Sequence, residues 1–234
     1  LTKLPLYIDY SPESHREGLA TYFRAYLQEF MNRWLRENPN PDGSKYNLYR
    51  DGLRIYTTID SRLQSIAEES VSEHMKSLQS EFFAQNKKSE ETPTPPFKDL
   101  REGQVDTLIK LSAMRSERWR KMRLSGKSED EIWDSFKVDT SMKVFSWNGD
   151  IDTIMKPIDS IRYYKSHLRA SMMSMEPQTG HVKAWVGGFN YKHFQYDQVK
   201  QGRRQIGSTF KPFLYATAID QLKLSPCYTV PDAL

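Results

Sequence analysis

An α+β fold is predicted by two features of the sequence. Apolar residues recur at spacings of three and four through the first and middle parts of the chain, and alternating, β-branched runs fill the part beyond Lys137. Turn-rich breaks separate these regions. At 234 residues, with 38% hydrophobic and 27% charged residues, the chain can bury a core as one large domain or as parts of two.

From Ser14 to Leu35, the residues Leu19, Tyr22, Phe23, Tyr26, Leu27, Phe30 and Trp34 form an apolar stripe, which predicts a long amphipathic helix stopped by the turn residues "NPNPDG" at Asn38–Gly43. The run "GLRIYTTID", Gly52–Asp60, reads as a strand. Ser61 and Gln64 then match a capping box for a helix carrying Leu63, Ile66, Ala67, Val71, Met75 and Leu78. "NKKSEETPTPP", Asn86–Pro96, has the composition of a linker. Helical segments follow at Val105–Met114 and from Ser128, where "SEDEIWDSF" opens with another capping box. Between them the basic run Arg115–Arg123 holds one aromatic and reads as a solvated helix face. Farther on, "KVFSW" at Lys143–Trp147 reads as a strand, and the two alternating runs of Ala170–Phe189 flank a Pro and Gly turn, as in a hairpin.

Several function classes find no support in the composition. A net charge of +4, spread along the chain, does not mark a nucleic-acid binder. A single cysteine, Cys227, excludes an internal disulfide framework and a cysteine-rich zinc site. His15, His74, His167, His181 and His193 lack metal-ligand spacing, so no metal or cofactor is expected. Gly187 and Gly188 follow a strand without a phosphate-loop pattern, which leaves a bulge or close packing as their role. No apolar run reaches the roughly 20 residues of a membrane span, and no signal-peptide pattern is present, so the chain as given is expected to be soluble, with any anchor lying upstream.

The segment "RRQIGSTFKPF", Arg203–Phe213, carries the chemistry. Gly207 breaks the preceding segment, and Phe210, Phe213, Leu214, Ala216, Ala218 and Ile219 have helical spacing, so a helix is predicted to begin near Ser208 with Pro212 in its first turn. Ser208 and Lys211 then share a face. A serine hydroxyl is a weak nucleophile until a neighbouring group accepts its proton, and a desolvated, neutral lysine amine can do so. The N–H groups at a helix start favour a developing oxyanion. The four-letter pattern S-x-x-K is common and its serine is often only a cap, so the flanking residues matter.

With those flanks the segment resembles the active-serine motif of penicillin-binding proteins. "MEPQTGHVKAWVGGFNY", Met175–Tyr191, is similar to the strand, turn and strand that precede that serine; "GLRIYTTIDSRLQ" resembles the junction into the transpeptidase region of class A members, and "LATYFRAYLQEF" the tail of their glycosyltransferase domain. The resemblance implies residues 1–50 as that tail and a linker, 51–79 as a strand-helix junction, 80–139 as a helical insertion, and 140–234 as the N-terminal part of an incomplete transpeptidase domain. It further implies Ser208 as the acylated nucleophile and Lys211 as its base, acting on D-Ala-D-Ala stem peptides of peptidoglycan or on β-lactams, with no cofactor, in a periplasmic enzyme anchored in the cytoplasmic membrane beside possible cell-wall synthesis partners.

The sequence departs from that pattern in two respects. No K-T-G or K-S-G triplet occurs, and the S-x-N triplet Ser146, Trp147, Asn148 precedes the serine whereas the family's follows it. A serine carboxypeptidase or β-lactamase would share the chemistry, and a non-catalytic scaffold docking partners through the middle segment is the rival outside enzymes.

Overall fold

The computed structural model describes residues 17–87, 95–97 and 100–229. The chain divides into two units, Leu1–Gln201 and Gly202–Leu234. The combination of helices with small antiparallel sheets is the α+β class expected.

In the first unit, α1 spans Thr21–Glu37, starting later than the predicted helix and ending two residues beyond it; residues 14–16 of that prediction lie outside the described residues. Tyr22 and Leu35 are buried, and Tyr26 stacks on Trp185 at 5.2 Å. Helix α2, Ser61–Gln85, follows an extended segment rather than the predicted strand. Gly52–Asp60 forms no ladder because it meets the sheet at its end only: the Thr58 hydroxyl donates to the Val182 carbonyl (2.7 Å) and the Asp60 N–H to that of Lys183 (2.9 Å), while Tyr56 is 87% exposed. The predicted capping box is also corrected. Asp60, one residue earlier than Ser61, is the cap, its carboxylate accepting from the N–H groups of Arg62 and Leu63. An ionised oxygen is the stronger acceptor at the positive end of a helix, and these N–H donors hold the Asp60 pKa below the usual carboxylate range.

The buried side of α2 is not the one its leucines suggest. Gln64, Ala67, Met75 and Gln79 are buried, whereas Leu63 and Ile66 are exposed. Each glutamine clamps backbone. The Gln64 amide donates to the Trp185 carbonyl (2.9 Å) and accepts from its N–H (2.7 Å), as a neighbouring strand would. Gln79 accepts from the Leu168 N–H (2.7 Å) and donates to the Ser166 carbonyl (3.2 Å).

Helices α3 (Glu102–Met114), α4 (Glu117–Leu124) and α5 (Glu129–Ser135) pack around Ala113, Trp119, Ile132 and Phe136. The basic run is the outer face of α4, with Trp119 turned inward. Ser128 and Glu131 form the predicted capping box of α5, where the Lys127 amine and the Ser128 N–H hold the Glu131 carboxyl down to about 2. Strand β1, Thr140–Val144, starts earlier than predicted and pairs antiparallel with β2, Ile151–Met155, from Thr140 opposite Met155 to Val144 opposite Ile151. Ser146–Asn148 lies in the connection between them, where the Ser146 hydroxyl closes a turn onto the Gly149 carbonyl (2.6 Å). Helix α6, Pro157–Lys165, opens on a proline and returns to the α3–α5 core through Ile158 and Ile161.

Strands β3 (Met172–Met175) and β4 (Val182–Val186) form the predicted hairpin, and Ala184 and Val186 pack on Ala67 and Val71 of α2. At the end of β4, Gly187 and Gly188 serve close packing. A Cβ at either position would collide with Tyr22, and at Gly187 also with Asp197. The Tyr22 hydroxyl can thereby reach the Phe194 carbonyl at 2.5 Å. The short α7, Gln198–Gln201, ends this unit.

The second unit is one helix with its lead-in. Gly207 takes φ +53, a left-handed conformation suited to glycine, and a 3₁₀ turn Gly207–Phe210 feeds α8, Lys211–Asp220. Pro212 sits in the first turn of α8, as predicted.

Candidate active site

Ser208 lies in the 3₁₀ turn and Lys211 is the first residue of α8; the Lys211 N–H donates to the Ser208 carbonyl. In a 3₁₀ turn residues i and i+3 eclipse, so the backbone stacks these two positions on one side. Both residues are exposed, and among the described residues no hydrogen bond joins their side chains. The Thr209 hydroxyl points back to the Ile206 carbonyl (2.6 Å) and braces the turn. The arrangement can present a hydroxyl beside an amine at the start of a helix. Around it α8 is apolar and exposed: Phe210, Phe213, Leu214 and Tyr215 are all more than half exposed.

The first unit holds polar groups that no motif had flagged. The Tyr163 hydroxyl donates to the Phe145 carbonyl (2.7 Å), while the Phe145 N–H donates to the Tyr164 hydroxyl (3.1 Å), so two adjacent tyrosines grip both backbone groups of one residue. Tyr164 contacts His193 Nδ1 (3.0 Å), and His193 Nε2 meets Asp150 (2.7 Å), which also pairs with Lys192 (2.7 Å). Lys192 and His193 hold the Asp150 carboxyl below its ordinary pKa. His167 is buried with Nδ1 on the Tyr163 carbonyl (2.9 Å), and burial pushes its pKa down. The remaining described histidines are spent otherwise: His181 lies 3.9 Å from Glu176, and His74 is exposed. His15 is outside the described residues. No group of three or more potential metal ligands occurs among the described residues.

The model of the penicillin-binding protein middle domain matches residues 92–168, which contain α3 to α6 and the β1–β2 hairpin. That match begins inside the segment read from the sequence as an insertion and runs beyond its end. Penicillin-binding protein 1A of Rickettsia prowazekii (strain Madrid E) is 26% identical over 86% of this chain and 26% of its own length. The Rickettsia felis protein of the same name is similar to the same extent, 26% identical over 86% of this chain and 26% of its own. Together these matches support a fragment similar to class A penicillin-binding proteins. The chain spans about a quarter of the length of these penicillin-binding protein relatives. Penicillin-binding protein 1A of Escherichia coli (strain K12) is 41% identical over a shorter stretch, 23% of this chain and 6% of its own length. No solved structure matches the chain.

Among the described residues, no helix is long and apolar enough to cross a membrane. Sequence reasoning reached Ser208 and Lys211 through the glycine, the hydroxyl, the lysine and the proline at fixed offsets. It missed Gln64 and Gln79, because polar residues at helix positions look like surface until their partners are seen.

Proposed function

We propose that the full-length protein carrying this chain builds peptidoglycan, and that this chain supplies the reactive serine of its DD-transpeptidase. The observation that carries this reading is the segment Arg203–Phe213, in which a left-handed glycine launches a 3₁₀ turn with Ser208 and Lys211 one turn apart at the start of α8.

Ser208 Oγ attacks the carbonyl of the penultimate D-Ala of a stem peptide. The Lys211 amine, neutral when the site is closed around it, takes the hydroxyl proton and returns it to the departing D-Ala amine. The oxyanion is stabilised in part by N–H groups of the turn. An amine of a neighbouring stem peptide then attacks the acyl-serine ester; the crosslinking amide forms, and a proton returns to Ser208 Oγ. A β-lactam enters the same path and stops at the acyl-enzyme.

In this reading the S-x-N and K-T-G elements belong to other parts of the protein, as does a glycosyltransferase domain, and the enzyme works on the periplasmic side, anchored in the cytoplasmic membrane. Partner proteins of the cell-wall machinery fit the same setting. Intact-mass measurement of the full-length protein after exposure to labelled penicillin tests the proposal. One adduct is expected, and it should disappear with Ser208→Ala. A folded protein that takes no label would favour the scaffold reading.

A further inference from the structure

A cavity of about 490 Å³ in the first unit, bordered by Tyr22, the loop after α6 and the end of β4, has no part in the acyl-transfer reading. Its size is that of small-ligand sites. The side chains around it include Lys165, His167 and Arg169, together with the aromatic rings of Phe189 and Phe194, and no carboxylate.

Arg169 decides what fits. Its guanidinium lies 3.8 Å from the centre of the Phe194 ring, and one Nη donates to the Tyr164 carbonyl at 3.1 Å. That uses one of its five N–H donors. Partial desolvation pushes its pKa down to about 10, although the residue as a whole is exposed. Among the described residues no Asp or Glu forms an ion pair with it.

The acids nearby are committed elsewhere. Asp197, behind Gly187, accepts from Trp185 Nε1 (3.0 Å) and from the N–H groups of Val199 (2.9 Å) and Lys200 (3.3 Å). Asp150 is held by Lys192 and His193. His167, depressed by burial and by the charge of Arg169, adds no positive charge at neutral pH. Lys165 is exposed. The cavity therefore sets the Arg169 guanidinium, which has no carboxylate partner among the described residues, beside the rings of Phe189 and Phe194, with Lys165 also at its border.

We propose that this cavity binds the terminal carboxylate of a peptide, with the two oxygens on the free edge of the Arg169 guanidinium and the apolar substituent against Phe189 and Phe194. The planar guanidinium fork can take both oxygens of a carboxylate at once, and the aromatic rings suit the apolar substituent of an amino acid better than they suit inorganic phosphate. Gln195 and Gln198, also at the cavity, supply amides for the peptide backbone. The site does not include Ser208 and does not depend on acylation.

Saturation-transfer NMR on the full-length protein, first acylated with penicillin, tests this with N-acetylalanine as probe, its neutral amide as control and inorganic phosphate as competitor. The carboxylate should bind at least tenfold tighter than the amide, and Arg169→Gln should lose at least tenfold. Because that change also removes packing on Phe194, Gln198→Glu provides the second variant, setting a negative charge at the cavity without touching the Arg169 stack; it too should weaken binding several-fold. Equal binding of acid and amide, unchanged binding in Gln198→Glu, or displacement by phosphate at lower concentration than the probe would overturn the assignment.

Discussion

Helices α2 and α8 break the same rule in opposite directions. Helix α2 buries two glutamines and leaves Leu63 and Ile66 in water; α8 is apolar on nearly every side and buries nothing. A helix normally turns its apolar stripe inward, so each exception has a cause. In α2 the cause is backbone. Trp185 and the Ser166–Leu168 loop present N–H and C=O groups that would cost about 1–3 kcal/mol each if buried unpaired, and a primary amide can donate and accept at once. In α8 the apolar character on nearly every side is that of a helix suited to a domain interior.

The contrast can be broken at several points. The largest effect belongs to α8: Lys211→Ala in the full-length protein should slow penicillin acylation by about 10²–10⁴-fold, the usual worth of a general base, with the thermal unfolding profile unchanged. An unaltered adduct rate, read by mass spectrometry over time, would remove the lysine from the base role. Next comes α2. Gln64→Leu strips partners from both backbone groups of Trp185 and should cost about 3 kcal/mol in urea unfolding, whereas Leu63→Ser, on the wet side, should stay within about 0.5 kcal/mol. If the two variants unfolded at the same urea concentration, the clamp would carry no stability.

A smaller loss is expected at the glycine pair. Gly188→Ala drives a methyl into the Tyr22 hydroxyl and should cost about 1–3 kcal/mol, but less in a Tyr22→Phe background, where the colliding oxygen is gone. Additive losses in the double variant would place the strain elsewhere. The smallest effect is on pH dependence. The His167 pKa is lower folded than unfolded, so as pH falls below about 6.5 the unfolded chain takes up protons first and stability declines. His167→Gln should flatten that slope in unfolding curves collected across this range.

Much of the fold was legible in the sequence, and the reasons for the misses are physical. The β3–β4 hairpin, α3, α5 with its capping box and the start of α8 were readable because their signals are local: alternation around a Pro and Gly turn, Ser128 three residues before Glu131, Gly207 ahead of an apolar run. The strand expected at Gly52–Asp60 failed because a β-branched alternating run makes a ladder only where an edge is open along its length, and Gln64 already occupies the position beside Trp185. The burial face of α2 was misread for the same reason, since hydropathy cannot report that an amide will find an unpaired backbone. Ser208 and Lys211 could be named from the motif, while Arg169, at a separate cavity, could not. A lone arginine after a helix becomes notable only once Phe194, distant in sequence, is brought beneath it.

The glutamine clamp also sets the direction in which the hairpin can be enlarged. With Asp60 on Lys183 and Gln64 on Trp185, the outer margin of β4 is sealed against any newcomer. Among the described residues the edge this hairpin leaves open to a further strand is therefore that of β3, Met172–Met175.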